Sequence, residues 1–211
     1  MIRLNHTADK IKYLCTGELT KPFLPNEYVM ERVLNDYNAK CKEAKQEGRQ
    51  KPIIVESLMR WIFHMTNSER QDKDFIYKHK FQRTAQEIWE SKKLTGCTDY
   101  ALLFATFSRQ LGIPTTFLHT AEKDWLESLK QGQTETHTGH SFCECYIDNK
   151  WILVDPTCGK IEFDYNPSEI NLSYSLGGSH VFIPYYRGLD LGEKQTVGQH
   201  NKIMDDMCKD L

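Results

Sequence analysis

Three residues of the sequence have the types and the spacing of a thiol catalytic site. Cys97 directly follows a glycine at the start of a long apolar segment, His140 directly follows another glycine, and Asp155 ends a run of β-forming residues. A thiolate can attack a carboxamide carbon, an imidazole can give its proton to the leaving amine, and a carboxylate can fix the imidazole tautomer. The three residue types therefore indicate nucleophilic acyl chemistry through a thioester, provided that the fold brings them together.

The segment that begins at Cys97 is apolar on almost every face as far as Leu111, where a glycine-isoleucine-proline run stops it. A helix of that kind is normally buried at the centre of a domain. The N–H groups and the positive dipole end of the helix would favour a thiolate at its first residue and would stabilise an oxyanion on a bound carbonyl. The alternative interpretation is a cysteine that merely begins a core helix, since buried cysteines are common.

The relation between His140 and Asp155 follows from a predicted hairpin. Asp148 and Asn149 form a turn pair suited to a two-residue loop between two β-type runs. That loop pairs Phe142 with Asp155, and residues two apart along a strand share a face. His140 is then diagonal to Asp155 on one face and within reach of its carboxylate, whereas a loop one residue longer or shorter would separate them.

The opposite face of the hairpin carries Cys143 and Cys145 among apolar residues, so we expect both thiols to pack against the core. This weakens a rival interpretation, a structural zinc site formed by His140, Cys143, Cys145 and Cys158. In a strand, His140 points away from Cys143 and Cys145, and C-x-C is not the usual spacing of zinc ligands. We therefore expect no metal and no cofactor.

Four further polar residues are weaker candidates. Glu144 shares the face of the hairpin histidine, where it either lines the cleft or is a solvated edge residue. Asp99 falls on a different helix face from the cysteine, so we assign it to the helix N-terminus or to local hydrogen bonding. His137 is predicted to lie in the loop or on the other face, and His119 within a strand. Both are expected to be ordinary surface histidines.

The spacing of apolar residues changes near the middle of the chain, from helical periodicity to β-type runs. In chain order we predict helices over 26–47, 52–65, 81–92 and 97–111, a strand over 115–120, a helix over 122–130, strands over 141–147, 150–154 and 181–186, and a helix over 199–208. Helices first and antiparallel strands after them predict an α+β fold.

Length and composition fit one soluble domain. The 211 residues are 39% apolar and 27% charged, and a net charge of −2 without a basic block argues against nucleic-acid or membrane partners. We predict a single domain over 1–211, with a helical N-terminal part (1–80), a catalytic core (81–190) and a C-terminal helical tail (191–211). Without a signal-like or membrane-spanning run, and with seven cysteines in no regular framework, we expect reduced thiols and a cytoplasmic location.

Two blocks of the sequence together resemble the transglutaminase-like superfamily. The first block is GCTDYA at 96–101 with RQLGIPT at 109–115, and the second is GHSFCECY at 139–146 with WILVDPT at 151–157. A weaker likeness to small bacterial members continues through YYRGLD at 185–190. The resemblance implies a papain-like α+β core, in which a buried nucleophile helix packs on an antiparallel sheet, and a catalytic triad of Cys97, His140 and Asp155.

The resemblance leaves the second oxyanion donor and the reaction open. The backbone N–H of Cys97 is the natural first donor. The side chains of Gln82, Gln86 and Trp89 are candidates for a second, although Trp89 also suits core packing. We expect hydrolysis of an amide in a peptide or protein substrate, because no acceptor-amine site is recognisable and water needs none. The alternatives are transamidation of a glutamine side chain and a non-catalytic binding module. The intact set of three residues argues against the binding module. The oligomeric state is left open.

Overall fold

The computed structural model describes residues 12–23, 26–66, 72–133, 136–168, 172–175 and 179–209. After a 3₁₀ turn at Lys12–Leu14, the helices within these residues are α1 (Asn26–Gln46), α2 (Ile54–Met65), α3 (Lys73–His79), α4 (Ala85–Ser91), α5 (Cys97–Gln110), α6 (Lys123–Lys130) and α7 (Val197–Cys208). The strands are β1 (Thr115–Glu122), β2 (Gly139–Ile147), β3 (Lys150–Asp155), β4 (Lys160–Glu162), β5 (Leu172–Ser175) and β6 (Ser179–Gly188).

The strands form one antiparallel sheet in the order β4-β3-β2-β1-β6-β5. Helices α1 to α5 precede every strand in the chain, so the predicted α+β fold is confirmed. The strands that carry Asp155 and His140 are neighbours, and the sheet continues from them through β1 to β6. Side chains from these four strands can therefore converge on one region.

Helix α5 is the central element of the core. Residues 98–109 are all buried, and the helix packs against β1 and β2 and against α1, α2 and α4. Phe104 and Phe107 are completely inaccessible to solvent. Because apolar burial contributes roughly 25 cal/mol per Å², a helix that is apolar on all faces is most stable where every face is covered. The predicted buried helix against an antiparallel sheet is confirmed.

The predicted hairpin between β2 and β3 is also confirmed. Asp148 and Asn149 have φ values of +49° and +64°, the left-handed conformations that a type I′ turn requires at both positions. Ile147 pairs with Lys150 across the turn. The predicted register is therefore the observed one, and the face of each side chain in β2 and β3 follows from it.

The segment before α5 differs from the prediction. Helix α3 was not predicted, and α4 begins at Ala85 rather than at Phe81. Thr84 starts α4 through a capping box with Glu87, while Phe81 adopts a left-handed φ of +64°. Phe81 and Ala85 are four residues apart, which is the spacing of one helical face, and both side chains are buried. The sequence therefore suggested one continuous helix.

Two short strands were also missed. β4 is a polar strand of three residues that pairs with β3, and β5 pairs with β6 at the other end of the sheet. β4 has a single apolar residue, and β5 alternates apolar and polar residues over only four positions, which is the lower limit for a strand signal in a sequence. Among the described residues, no helix is both long enough and apolar enough to cross a membrane.

Candidate active site

Helix α5 places Cys97 in its first turn. Gly96 precedes the cysteine with a φ of +150°, a conformation that favours glycine, and its carbonyl accepts a hydrogen bond from the Asp99 N–H at 3.1 Å. Gly96 has no side chain that could cap the N–H groups of the first helical residues. The half-buried thiol of Cys97 therefore lies beside these N–H groups and the positive end of the helix dipole.

Strands β2 and β3 bring His140 and Asp155 into contact. The Nε2 atom of His140 lies 3.0 Å from Oδ2 of Asp155, as the hairpin register predicted. The other carboxylate oxygen accepts hydrogen bonds from the backbone N–H groups of Thr157 at 2.8 Å and Cys158 at 3.2 Å. Burial of Asp155 favours its neutral form, but the bond and charge of His140 and these two N–H groups outweigh burial and lower its pKa.

Cys97 and His140 shift each other's pKa in opposite directions. Burial opposes ionisation of the thiol. Hydrogen bonds from the imidazole and from Ser141, with the positive charges of the imidazole and of Lys80, outweigh burial and lower the pKa of Cys97 to about 7. Burial likewise disfavours the imidazolium, but hydrogen bonds to Asp155 and to the sulfur, and their negative charges, raise the pKa of His140 to about 10. The pair is therefore a thiolate and an imidazolium between about pH 7 and about pH 10.

A cavity of about 60 Å³ opens beside the thiol, and it is lined by more than the predicted residues. Besides Cys97 and His140, it is bordered by His119 of β1, Tyr185 of β6 and His200 of α7. The expectation that His119 is a surface histidine was wrong, since only 4% of it is exposed. The structure thus adds polar side chains to the site, these three and His137 among them, that were not expected there from the sequence.

The burial of His119 could have been inferred from strand alternation. It lies two residues after the fully buried Phe117 and so shares its face of β1. In the sheet it pairs with Ser141, the residue directly after His140. Burial first, and then the charges of His200 and His140, lower the pKa of His119 well below its usual value, so it is neutral near pH 7.

The two glutamines proposed as second oxyanion donors lie elsewhere. Gln82 borders a separate, wider groove of about 910 Å³, together with Arg83 and Thr196. Gln86 is exposed on α4, where its amide donates to Glu90 at 2.8 Å. The capping box that starts α4 at its observed position turns Gln86 toward solvent, so neither glutamine lines the cavity at the thiol.

Trp89 and Glu144 are buried in the fold and do not border the cavity at the thiol. Trp89 is 6% exposed and stacks on Trp61 with 4.9 Å between ring centroids, so core packing is confirmed and the donor role is not supported. Glu144 lies on an interior strand, fully buried, and accepts hydrogen bonds from the Tyr165 hydroxyl and from Nε of Arg187 at 3.0 Å. It is therefore neither a cleft residue nor a solvated edge residue. The Arg187 guanidinium neutralises its charge inside the fold.

Asp99 and the hairpin cysteines have the structural roles that the sequence predicted. Asp99 accepts hydrogen bonds from the N–H and hydroxyl of Thr95 at 2.7 and 2.8 Å and forms an ion pair with Arg83. The buried Cys143 thiol donates to the carbonyl of Ala101 in α5 at 3.6 Å. In the described part of the chain, no group of three His, Cys, Asp or Glu side chains is arranged to hold a metal ion.

Comparisons with known proteins bear on the family of this chain. The fold aligns with a crystal structure from Cytophaga hutchinsonii, described as a "putative cysteine protease", over 90% of this chain and 50% of that one, at 16% identity and a TM-score of 0.49. This chain thus spans about half the length of that protein. A search of curated proteins finds no significant match. A family model of the transglutaminase-like superfamily matches residues 50–156, just over half of the chain, including Cys97, His140 and Asp155. The chain belongs to the transglutaminase-like superfamily.

Proposed function

We propose that this protein is a thiol hydrolase that cleaves an amide bond in a peptide or protein. Cys97 is the nucleophile, His140 the general acid and base, and Asp155 the group that orients the histidine. The observation that carries the proposal is a juxtaposition: the thiol and the imidazole border the same cavity, and the imidazole lies 3.0 Å from a buried carboxylate. Membership of the superfamily supports the same kind of chemistry.

In the proposed reaction, the Cys97 sulfur forms a bond to the amide carbon while the carbonyl π electrons move to the oxygen. The N–H groups at the start of α5 stabilise the resulting oxyanion. The carbon–nitrogen bond then breaks, and the leaving nitrogen takes a proton from His140. Next, a water gives a proton to the neutral imidazole and attacks the thioester. The carbon–sulfur bond breaks, which releases a carboxylic acid and restores the thiolate.

Water is the proposed acyl acceptor because of the size and lining of the cavity. A space of about 60 Å³ bordered by polar atoms of Ser141, His119 and Tyr185 suits water molecules. The lysine side chain of a second protein, with its four-carbon stem, would need a longer channel to reach the thioester.

The test is a heavy-oxygen assay with casein as an unfolded protein substrate, in oxygen-labelled water that also contains a fluorescent primary amine. Hydrolysis places the label in new carboxylates, whereas transamidation places the amine on glutamine side chains. We expect labelled carboxylates with wild-type protein and none with Cys97→Ala. Amine incorporation without the label would instead establish a transferase. A Cys97 that reacts with no electrophile, together with no turnover, would favour a binding module.

A further inference from the structure

Lys80 places a positive charge at the edge of the cavity at Cys97. It directly follows α3, where its backbone N–H donates to the Ile76 carbonyl at 2.9 Å. Its half-buried side chain borders the cavity, and its Nζ lies 5.0 Å from the ring centroid of Phe81. Because an aromatic face attracts a cation, this contact keeps the ammonium at the cavity.

Helix α7 supplies the opposite wall of this corner. The buried Phe81 ring stacks on His200 of α7 with 3.7 Å between ring centroids, so the ring has a fixed place between the two segments. The next residue of α7, Asn201, is half-buried and also borders the cavity. Its side-chain amide has no hydrogen-bond partner among the described residues, so its N–H groups can donate to a ligand.

The charge of Lys80 is not offset by a carboxylate. Of the described residues that border the cavity, none is an aspartate or a glutamate. Lys80 forms no ion pair with any described residue. Two histidines of the cavity do have such partners: His140 lies 3.0 Å from Asp155, and His137 lies 2.8 Å from Asp205. Within the described part of the chain, Lys80 is therefore left with an unpaired charge.

The remaining histidines of the cavity, His119 and His200, are neutral near pH 7. Burial lowers the pKa of His200 to about 4, and the charge of Lys80 is the next cause. Burial and the charges of neighbouring histidines lower the pKa of His119 well below its usual value, and Lys80 adds to this shift. The field of the ammonium thus extends across the cavity. An anionic group that entered would be attracted to it.

We propose that Lys80 and Asn201 bind a substrate carboxylate beside the scissile amide. An ammonium and an amide N–H recognise a carboxylate through charge-assisted hydrogen bonds. The cavity of about 60 Å³ has room for a carboxylate as well as a water, since one water needs only about 10–15 Å³. The substrates are therefore peptides with an acidic side chain or a C-terminal carboxylate next to the cleaved bond. This inference rests on the proposed function, because it places the amide at Cys97.

The test compares two alkylating reagents, of which one carries a carboxylate. Iodoacetate and iodoacetamide both form a bond from their CH₂ carbon to the Cys97 sulfur with loss of iodide, but only iodoacetate is anionic. The ratio of their rates at Cys97 reports how well the site accepts a carboxylate. The two rates are measured separately by peptide mass spectrometry at pH 7 and physiological salt. Because both reagents need the same thiolate, a change in its pKa cancels from the ratio.

The iodoacetate-to-iodoacetamide ratio of folded wild type should exceed that of urea-unfolded protein by about fivefold. Lys80→Met keeps the apolar stem and should lower the ratio by about fivefold, whereas Lys80→Arg keeps the charge and most of the ratio. Asn201→Ala should lower it by about threefold, since a hydrogen bond to a carboxylate is lost. Thermal melts by circular dichroism establish that each variant is folded.

Lys78→Met is the matched control. Lys78 is an exposed lysine of α3 that borders the separate groove and not the cavity at the thiol. Physiological salt screens exposed charges over about 8 Å, so its loss should leave the ratio unchanged.

The heavy-oxygen assay on casein identifies the source of the carboxylate. Labelled carboxylates at internal bonds next to aspartate or glutamate indicate an acidic side chain, whereas release of C-terminal residues alone indicates the chain end. In either case, Lys80→Met should slow cleavage at these bonds more than at bonds without a neighbouring carboxylate.

A role of Lys80 toward the thiol alone is distinguishable from carboxylate binding. Against burial, the charge of Lys80 helps His140 to lower the pKa of Cys97. If that were its whole role, Lys80→Met would slow both reagents and all casein bonds equally, and the carboxylate site would be overturned.

The outcomes also separate the carboxylate site from the proposed function. An equal ratio in folded wild type, in folded Lys80→Met and in unfolded protein would overturn the carboxylate site and leave Cys97 as a reactive nucleophile. A folded protein whose Cys97 reacts with neither reagent would overturn the proposed function itself, and the carboxylate site with it.

Discussion

At the scale of single residues, the site depends on a thiol, Cys97, that loses its proton at a lower pH than the imidazolium of His140 does. With ordinary pKa values of about 8.5 for a thiol and about 6.5 for an imidazole, the pair would be neutral at pH 7. Here the pKa of Cys97 is lowered to about 7 and that of His140 is raised to about 10. Asp155 sustains the second shift, because its buried carboxylate is held ionised by His140 and by two backbone N–H groups. The charge of Asp155 should therefore matter more than its shape.

Asp155→Asn tests that statement, because it keeps the shape and removes the charge. We expect a folded protein with much lower turnover in the heavy-oxygen assay. The loss of the corresponding charge in a serine triad costs about 10⁴-fold, and a surviving ion pair would reduce the effect. The pKa of His140 should fall, so the alkaline limb of the pH–rate profile should move to lower pH. Asp164→Asn, at an exposed aspartate, is the control. Wild-type turnover in Asp155→Asn would limit Asp155 to a structural role.

At the scale of elements, the start of α5 is held in place by buried polar contacts. The Asp99 carboxylate joins two residues from the preceding segment, Thr95 through hydrogen bonds and Arg83 through an ion pair. The side chains of both ions are at most 7% exposed. Because a buried charge without its partner is strongly destabilising, these contacts fix the first turn of α5, and with it Cys97.

Asp99→Ala should therefore lower the free energy of unfolding by about 3–5 kcal/mol, since it leaves the Arg83 guanidinium buried and unpaired. Chemical denaturation measures this. Lys194→Ala is the matched control, because the ion pair of Lys194 with Glu87 is nearly half exposed and should contribute no more than about 1 kcal/mol. Equal losses for the two variants would contradict the anchoring role of Asp99.

Elements whose conformation is set by the preferences of a few neighbouring residues could be predicted from the sequence. Asp148 and Asn149 tolerate left-handed φ values, so they fixed the hairpin register and, through it, the contact between His140 and Asp155. The position of His200 could not be predicted in this way. It reaches the cavity from α7 by stacking on Phe81, with 3.7 Å between ring centroids, and such packing between distant segments leaves no periodic signal.

At the scale of the whole molecule, the fold sorts the seven cysteines by environment. Cys143, Cys145 and Cys208 are buried, Cys41 and Cys97 are half-buried, and Cys15 and Cys158 are exposed. Burial raises the pKa of the first three thiols, so they stay protonated near pH 7. Burial also keeps reagents away from them. Burial and the charge of Asp155 also raise the pKa of Cys158, to about 11. Cys97 combines partial access with a lowered pKa, and so it should be the most reactive.

A limiting dose of iodoacetamide at pH 7 should therefore modify Cys97 first in the folded protein. The exposed thiols should follow slowly, and Cys143, Cys145 and Cys208 should react only after denaturant is added. A time course by peptide mass spectrometry, with and without guanidinium, gives the order. Labelling of Cys208 or Cys15 ahead of Cys97 in the folded protein would contradict this assignment.

The pH profile of Cys97 alkylation, in wild type and in His140→Ala, is a direct test of the thiolate–imidazolium pair. The wild-type midpoint should lie near 7, because the imidazolium stabilises the thiolate. His140→Ala should raise the midpoint to about 8.5 or above, since burial then acts without its main opponent. His64→Ala is the matched control, because that histidine is exposed near the end of α2, does not border the cavity and should leave the profile unchanged. A midpoint that is the same in wild type and in folded His140→Ala would contradict the thiolate–imidazolium pair.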